Sequence, residues 1–172
     1  LGSDGKLVDV AVYNLGISGN TTQDLLARFD QEARSRQATC IIFAIGINDS
    51  KYFTTEDDVV TSEVEFKKNV SALIKAAKIV TSNIAFVGLN RVDETKTTGS
   101  AWGNSDFFCN KNIEKYDLIL KSMCVEEKVT YIEVANALSL EDLEDGLHPN
   151  TQGHKKMFRR ILPEVVEILN GK

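Results

Sequence analysis

The sequence predicts an α/β domain in which helices cover both faces of a parallel β-sheet. Short apolar runs alternate along the chain with amphipathic helical patterns, in the order βαβαβαβα. Two of these runs, residues 40–45 and 84–89, are apolar throughout, which is typical of strands buried on both faces. The chain contains no internal repeat, low-complexity stretch or linker, so we expect residues 1–172 to form one domain.

Each element is predicted from its own pattern. Strands are expected where the apolar runs lie, at residues 7–15, 40–45, 84–89 and 130–134. Apolar side chains recur at helical spacing between residues 21 and 38, and Asn20 or Thr21 is suited to cap the start of that helix. The same spacing predicts helices around residues 66–77, 113–124 and 151–169. The last helix contains Pro163, which either kinks it or begins a new turn.

The composition excludes several classes of function. The net charge is −5, and lysine and arginine are scattered without a basic patch, so no nucleic-acid partner is expected. No apolar run approaches the roughly 20 residues that a membrane-spanning helix needs. The odd number of cysteines (Cys40, Cys109 and Cys124) has no CxxC spacing. We interpret them as small apolar side chains in a reducing, cytoplasmic compartment.

Polar loops follow all four predicted strands. They contain residues 16–20, 46–49, 90–93 and 145–149. The carboxyl ends of parallel strands meet at one edge of the sheet, and ligands of open α/β sheets bind at that edge. We therefore expect the functional residues in these loops.

Asp145 and His148 are the most specific pair at this edge. They lie on one turn directly before the last helix, where the carboxylate can hydrogen-bond to the imidazole and fix its tautomer. Such a pair is the base half of a nucleophile–base–orienter system. The second histidine, His154, lies inside the predicted helix and is interpreted as structural. Two histidines without a HExxH grouping predict no metal site.

Two other loops offer donors for an oxyanion. Gly19 lies where a strand turns into a helix, so its backbone N–H can face a ligand. Asn48 offers a side-chain N–H after a central strand. Both segments also fit ordinary turns, because glycine, asparagine and aspartate are common turn residues. Asp49 is expected to cap its loop rather than to catalyse.

Taken together, these segments resemble the SGNH (GDSL-type) family of esterases and acylhydrolases. The motifs are Asn-Leu-Gly-Ile-Ser-Gly-Asn-Thr-Thr at residues 14–22, Gly-Ile-Asn-Asp at 46–49 and Asp-Gly-Leu-His-Pro-Asn at 145–150. The resemblance extends over essentially the whole chain. It implies a three-layer α/β/α sandwich with a parallel, flavodoxin-like sheet.

The resemblance also implies a role for each motif residue. The Gly19 N–H and the Asn48 side chain would be the oxyanion donors. His148 would act as general base and then as general acid, and Asp145 would orient it. Losing one oxyanion donor typically costs about 10²–10³ in rate. All four residues are therefore candidate catalytic residues: two donors, the base and the residue that orients it.

The nucleophilic serine of that family is absent from this sequence. The family carries it in a Gly-Asp-Ser motif after a first strand, whereas residues 2–4 read Gly-Ser-Asp and follow no apolar run. We expect an upstream βα unit of roughly 30 residues or more to be missing from this N-terminally incomplete chain. By resemblance to the family, its strand would lie between the first two predicted strands. Ser18, two residues after Gly16, is the only local substitute.

Trp102, Phe107 and Phe108 lie in the loop at residues 90–109 and are candidates for substrate binding. At the carboxyl end of a strand they could line an acyl or alcohol pocket, or they could pin the loop onto the domain. Nothing in the sequence requires a long lipid groove. The expected substrate is a small or short-chain ester, such as an acetylated sugar.

The resemblance implies a serine ester hydrolase that works through an acyl-enzyme and uses no cofactor. Its activity should rise with pH as His148 loses its proton. The alternative is a catalytically inactive binding module on the same fold, because the chain itself lacks the serine. A phosphoacceptor receiver domain would also alternate strands and helices. Such a domain needs a cluster of acidic residues with a lysine after a late strand. The Ala-Asn-Ala segment at residues 135–137 follows the last predicted strand and contains no lysine.

Overall fold

A parallel three-stranded sheet lies at the centre of the molecule. We analysed a computed structural model, which describes residues 10–99 and 105–170. The strands β1 (Ile41–Phe43), β2 (Ile84–Val87) and β3 (Thr130–Ile132) lie side by side in that order. Each is shorter than the apolar run that predicts it, because only the paired residues form the ladder.

Five α-helices lie before, between or after these strands in the described ranges. They are α1 (Thr22–Ser35), α2 (Glu63–Val80), the short α3 (Glu94–Thr97), α4 (Asn110–Glu127) and α5 (Thr151–Leu169). A 3₁₀ turn, Leu140–Asp142, precedes α5. Helix α3 and the 3₁₀ turn lie within predicted loops. Their few residues are too short for a periodic pattern to reveal them.

The helices form layers on both faces of the sheet. On one face, buried residues of α1, α2 and α4 pack against Phe43 and Phe86, whose rings stack with centroids 4.5 Å apart. On the other face, Ile168 of α5 packs with Val87 and Ile132. The predicted α/β class, with a parallel sheet between two helical layers, is confirmed.

The helix starts follow local capping chemistry. The Thr21 side chain accepts a hydrogen bond from the Asp24 N–H, and the Asp24 carboxylate accepts one from the Thr21 N–H. This capping box selects Thr21 rather than Asn20 as the cap of α1. Pro163 lies inside α5, which continues through it as one helix.

Two predictions about the sheet are wrong. Residues 10–15 do not form a strand, and Val12 is 85% exposed; residues 7–9 lie outside the described residues. A strand needs a hydrogen-bonding neighbour, and none of the described strands lies beside this segment. Ile42 is 42% exposed rather than buried, because α5 covers β2 and leaves that side of the edge strand β1 open. The predicted upstream βα unit stays a prediction.

No helix in the described ranges combines the length and apolarity needed to cross a membrane.

Candidate functional site

The parallel sheet brings the predicted site loops to one edge. Asn48 follows β1, residues 88–93 follow β2, and the loop with Asp145 and His148 follows β3. At the opposite edge, two clefts of about 500 and 310 Å³ lie next to the amino ends of the strands. Neither cleft is lined by a predicted site residue.

Asp145 and His148 form the hydrogen-bonded pair that the sequence predicts. His148 Nδ1 lies 2.7 Å from Asp145 Oδ2. The other carboxylate oxygen, Oδ1, accepts the backbone N–H groups of Leu147 at 2.9 Å and of His148 at 2.8 Å. Because the same carboxylate bonds both the backbone and the ring of His148, the ring is held in one orientation.

The protonation state of Asp145 decides the tautomer of His148. Burial opposes ionisation of the carboxyl, but the hydrogen bonds from His148 and Leu147 outweigh it and lower the Asp145 pKa to about 2. An ionised carboxylate only accepts hydrogen bonds, so His148 Nδ1 must be the donor. Nε2 of the neutral ring is then a proton acceptor. It makes no hydrogen bond to any residue that the structure describes, and the side chain is 65% exposed.

The loop that carries this pair is closed like a small hairpin. Leu143 forms an antiparallel bridge with Pro149, and the Glu144 N–H donates to the His148 carbonyl at 2.8 Å. Leu147 is buried in the core on the side of α1, α2 and α4. The core therefore anchors the loop from below while His148 projects toward solvent.

Asp142 fixes the base of the loop, and sequence reasoning missed it. Its buried carboxylate accepts hydrogen bonds from the Ser139 N–H and hydroxyl and from Lys156 Nζ on α5, which lower its pKa to about 2. Its carbonyl accepts the Asn150 N–H at 2.8 Å. The Ser-x-x-Asp spacing of residues 139–142 is a capping-box signal that could have found it.

Gly146 lets the loop approach the segment after β2. Its φ is +95°, and a Cβ at this position would lie 2.8 Å from Lys96 Cβ and 3.2 Å from the Asp93 carbonyl oxygen. The Asp93 N–H donates to the Gly146 carbonyl at 2.8 Å. A side chain at residue 146 would force these backbones apart, so glycine is required here.

Gly19 lies in the turn that leads into α1. The Asn20 N–H closes this turn onto the Ile17 carbonyl at 3.2 Å, and Gly19 adopts a φ of +80°. Its N–H makes no hydrogen bond within the described part of the chain, and the space beside its Cα is open. The group is therefore accessible to a ligand.

Asn48 is joined directly to the Gly19 turn. Its Nδ2 donates to the Asn20 carbonyl at 3.1 Å, so one of its two side-chain hydrogens is engaged and the other remains. Arg28 braces the same turn, because its guanidinium donates to the Leu15 carbonyl and to Asn20 Oδ1. The two predicted oxyanion donors thus lie on segments that are hydrogen-bonded to each other.

Asp49 binds Thr22, the first residue of α1, outside the loop that it is predicted to cap. Its carboxylate is fully buried and accepts the Thr22 N–H at 2.9 Å and the Thr22 hydroxyl at 2.5 Å. Burial raises the pKa of the Asp49 carboxyl, and the Thr22 hydrogen bonds act in the opposite direction without cancelling that rise. The contact joins residues far apart in sequence, which a local turn pattern cannot indicate.

The predicted substrate-binding aromatics have different environments. Phe108 is 3% exposed and belongs to the core, so it pins the loop onto the domain. Phe107 is partly exposed, and its backbone pairs with that of Tyr52 through hydrogen bonds of 2.8 and 2.9 Å. Trp102 lies outside the described residues. Ser18 is exposed in the Gly19 turn.

No group of three or more histidine, cysteine, aspartate or glutamate side chains suited to a metal ion occurs among residues 10–99 and 105–170. Cys40, Cys109 and Cys124 are free thiols.

Comparisons with known proteins agree with this architecture. The chain is 26% identical over 169 residues to an acetylxylan esterase of Geobacillus stearothermophilus. The alignment covers 91% of this chain and 72% of that protein. A crystal structure of that esterase superimposes with a TM-score of 0.68 at 21% identity, covering 88% of this chain and 70% of the other. Catalytic mutants of that esterase replace a serine, an aspartate and, three residues after the aspartate, a histidine with alanine.

A GDSL-like lipase from Bacteroides thetaiotaomicron has a similar fold. It superimposes with a TM-score of 0.70 at 18% identity, covering 88% of this chain and 74% of the other. The sequence itself matches the GDSL-like Lipase/Acylhydrolase family over residues 4–156. The predicted resemblance is thereby confirmed, and the chain belongs to this family of carboxylic ester hydrolases.

Proposed function

We propose that this protein hydrolyses small or short-chain esters through an acyl-enzyme, with Asp145 and His148 as orienter and base. The observation that carries the proposal is the 2.7 Å contact between Asp145 Oδ2 and His148 Nδ1. It leaves Nε2 as the basic atom on an exposed loop at the functional edge of the sheet. Acetylated sugars are the favoured substrates, because the chain is similar to an acetylxylan esterase.

The reaction begins with removal of a proton by His148. Nε2 takes the hydroxyl proton of a serine, whose oxygen attacks the ester carbonyl carbon and forms a tetrahedral intermediate. The intermediate's oxyanion accepts hydrogen bonds from the Gly19 N–H and from the remaining hydrogen of Asn48 Nδ2. His148 then donates its proton to the departing alcohol oxygen, which leaves an acyl ester on the serine. Water, deprotonated by the same nitrogen, releases the acid and restores the serine.

The nucleophile in this proposal is a serine outside the 172 residues, because the sequence has no Gly-Asp-Ser motif. The catalytic serine replaced in the similar acetylxylan esterase supports a serine nucleophile. The same esterase has an aspartate and a histidine with the spacing of Asp145 and His148. Ser18 is not the proposed nucleophile, since it lies on the turn that presents the Gly19 N–H.

The test uses the whole protein that contains this chain. Hydrolysis of p-nitrophenyl acetate, p-nitrophenyl palmitate and acetylated xylo-oligosaccharides is measured for the wild type and for His148→Ala. We expect the acetyl substrates to be hydrolysed, the palmitate to be a poor substrate and His148→Ala to be nearly inactive. Labelling with a fluorophosphonate and mass spectrometry of the peptides should place the modified serine outside residues 1–172. Full activity in a folded His148→Ala variant would refute the assignment of the base.

A binding module without catalytic activity is the second candidate. It is favoured by one observation: none of the described serines is hydrogen-bonded to His148. In that case the whole protein would neither hydrolyse the esters nor react with the fluorophosphonate. Binding of acetylated oligosaccharides, measured by calorimetry, would then persist without turnover.

A further inference from the structure

We propose that Asp49 is the positioning residue of the oxyanion hole, holding the Gly19 N–H and the Asn48 amide at a fixed separation through Thr22. This inference rests on the proposed function, because it assigns a role to Asp49 in the same site. Asp49 does not reach the substrate in this proposal. It acts through the two segments to which it is joined.

The first step of the argument is the position of Asp49 in the chain. It directly follows Asn48, so its carboxylate fixes the backbone of the oxyanion residue next to it. The turn at this point is closed by the Asp49 N–H, which donates to the Gly46 carbonyl at 3.1 Å, and by the Thr61 N–H, which donates to the Asp49 carbonyl at 3.2 Å. The Asp49 side chain then crosses to α1.

The second step is the contact of Asp49 with α1. Both carboxylate oxygens accept the Thr22 N–H, at 3.2 and 2.9 Å, and Oδ1 also accepts the Thr22 hydroxyl. Thr22 is the first residue of α1 and follows the Gly19 turn closely. Because the N–H groups at a helix start are otherwise unpaired and favour negative charge, the carboxylate suits this place.

The third step is the direction of the Thr22 hydroxyl. Asn69 Nδ2 on α2 donates to Thr22 Oγ1 at 3.1 Å. The hydroxyl oxygen is therefore an acceptor for Asn69, and its own proton points to Asp49. Asp49, Thr22 and Asn69 are all buried, so this chain of hydrogen bonds has no competition from water.

The fourth step is a second hydrogen bond between the two oxyanion segments. Asn48 Nδ2 donates to the Asn20 carbonyl, one residue after Gly19. The Asn48–Asp49 segment and the residues at 19–22 are thus joined by the Asn48 contact at the surface and by the Asp49 contact in the interior. Two links prevent one segment from rotating about the other, as a preorganised oxyanion hole requires.

The cost of burying Asp49 supports a role beyond stability. None of the ion pairs within the described ranges involves this carboxylate, although it is 0% exposed. A buried carboxylate without a cation is costly, and α1 already has a side-chain cap in Thr21. The carboxylate accepts the N–H and the hydroxyl of Thr22 at the same time, which gives a rigid connection to the start of α1.

The experiment compares Asp49→Asn with Asp117→Asn in the whole protein. Asp117 is the matched control, because its carboxylate accepts a backbone N–H from Leu89 and the Tyr131 hydroxyl but contacts neither oxyanion segment. In Asp49→Asn an NH₂ group replaces one carboxylate oxygen. This group is a donor and faces a donor of Thr22, so one hydrogen bond between the two residues is lost. We expect kcat to fall by about 10²-fold with KM within about two-fold, whereas Asp117→Asn keeps kcat within about three-fold.

Two variants of Thr22 keep the test decisive if Asp49→Asn does not fold. Thr22→Ser retains the hydroxyl and should keep kcat near the wild-type value. Thr22→Val loses it and should lower kcat by about 10-fold without a matching change in KM. Equal kcat in Thr22→Val and Thr22→Ser would overturn the proposal, as would an equal loss of kcat in Asp49→Asn and Asp117→Asn.

A measurement without catalysis separates this proposal from the proposed function. In ¹⁵N-labelled protein, Asp49→Asn or Thr22→Val should shift the Gly19 amide and Asn48 side-chain amide signals, and Asp117→Asn should leave both in place. If the wild type hydrolyses no ester, the proposed function fails and these signals alone decide. Unchanged Gly19 and Asn48 signals in folded Asp49→Asn and Thr22→Val would overturn the positioning role.

Discussion

Asp145 accepts three hydrogen bonds, two from His148 and one from Leu147, although 43% of its own side chain is exposed to solvent. Two of them come from the backbone and depend only on the short turn. The third orients the ring and sets its tautomer. A local turn therefore builds the acid–base pair, and the interior of the protein has only to hold the turn in place.

Asp145→Asn should lower kcat by about 10²–10⁴-fold. The amide oxygen can keep the backbone hydrogen bonds, so the NH₂ group turns to the ring and makes Nδ1 an acceptor. The proton then lies on Nε2, where the base must be free. Steady-state kinetics on p-nitrophenyl acetate measures the loss.

Glu144→Gln is the matched control for that variant. It removes the same charge from the neighbouring, exposed position and should leave kcat within about two-fold. An equal loss of kcat in the two variants would mean that charge near the loop, and not the orientation of His148, limits the reaction.

At the scale of elements, the His148 loop depends on its attachment to α5. Lys156 on α5 binds the Asp142 carboxylate at 2.6 Å, and Asn150 caps the helix through the N–H groups of Gln152 and Gly153. The Asn150 side chain also donates to the Glu141 carbonyl. Loop and helix are thus one unit, in which the start of α5 fixes the end of the loop.

This unit should make the protein sensitive to acid. The Asp142 and Asp145 carboxyls have pKa values of about 2, below the ordinary aspartate value of 3.8. At a pH between about 2 and 3.8, unfolding is therefore accompanied by proton uptake. Their stabilising contribution is complete above about pH 4 and is lost as the pH falls toward 2. Urea unfolding at pH 5 and pH 2.5 should show a smaller pH-dependent loss of stability in Asp142→Asn than in the wild type.

Asp30→Asn serves as the control for the acid experiment. Asp30 pairs with Arg34 on the exposed surface of α1, where both side chains are more than half exposed. Its replacement should leave the pH dependence almost unchanged. If Asp142→Asn and the wild type lost equal stability between the two pH values, the attachment of the loop would not be the acid-sensitive feature.

Pro163 weakens α5 without ending it. Proline has no N–H, so the Arg159 carbonyl one turn earlier lacks its helical donor. Pro163→Ala should raise the free energy of unfolding by about 1–3 kcal/mol, since the exposed site loses no packing. Urea denaturation measures the change, and Glu167→Ala in the same helix should have little effect. A destabilised Pro163→Ala variant would show that the helix needs the proline geometry.

At the scale of the whole molecule, the two faces of the sheet are covered unequally. The face toward α1, α2 and α4 has a large core, whereas α5 alone covers the other face. Ile132 on β3 is fully buried under α5, and Ile42 on β1 is 42% exposed. The same residue type thus has two environments on one side of the sheet.

Ile132→Ala should cost about 2–5 kcal/mol of stability and Ile42→Ala less than about 1 kcal/mol. The difference follows from the contacts that each side chain loses. Denaturant unfolding of the 172-residue chain measures both. An equal cost at the two positions would contradict the open edge of β1, and would mean that β1 is covered in solution.

The sequence predicts most elements because their signals are local. The cap at Thr21, the apolar spacing of α2 and α4 and the span Thr151–Leu169 depend on residues a few positions apart. The strand predicted at residues 7–15 fails within its described part, since a strand is stable only beside another strand and apolar composition does not supply the neighbour. Phe108 was ambiguous for a similar reason, because burial depends on what packs over a loop.

The sequence by itself determined the α/β class, the family and the Asp145–His148 pair. Side-chain periodicity encodes the class, three short motifs carry the resemblance to the family, and hydrogen bonds within one turn form the pair. Only the tertiary structure decided that Asp49 bonds Thr22, 27 residues away, that Asp93 meets Gly146 and that Asp142 joins the His148 loop to α5. These contacts form only when the sheet and helices have packed, so no short motif specifies them.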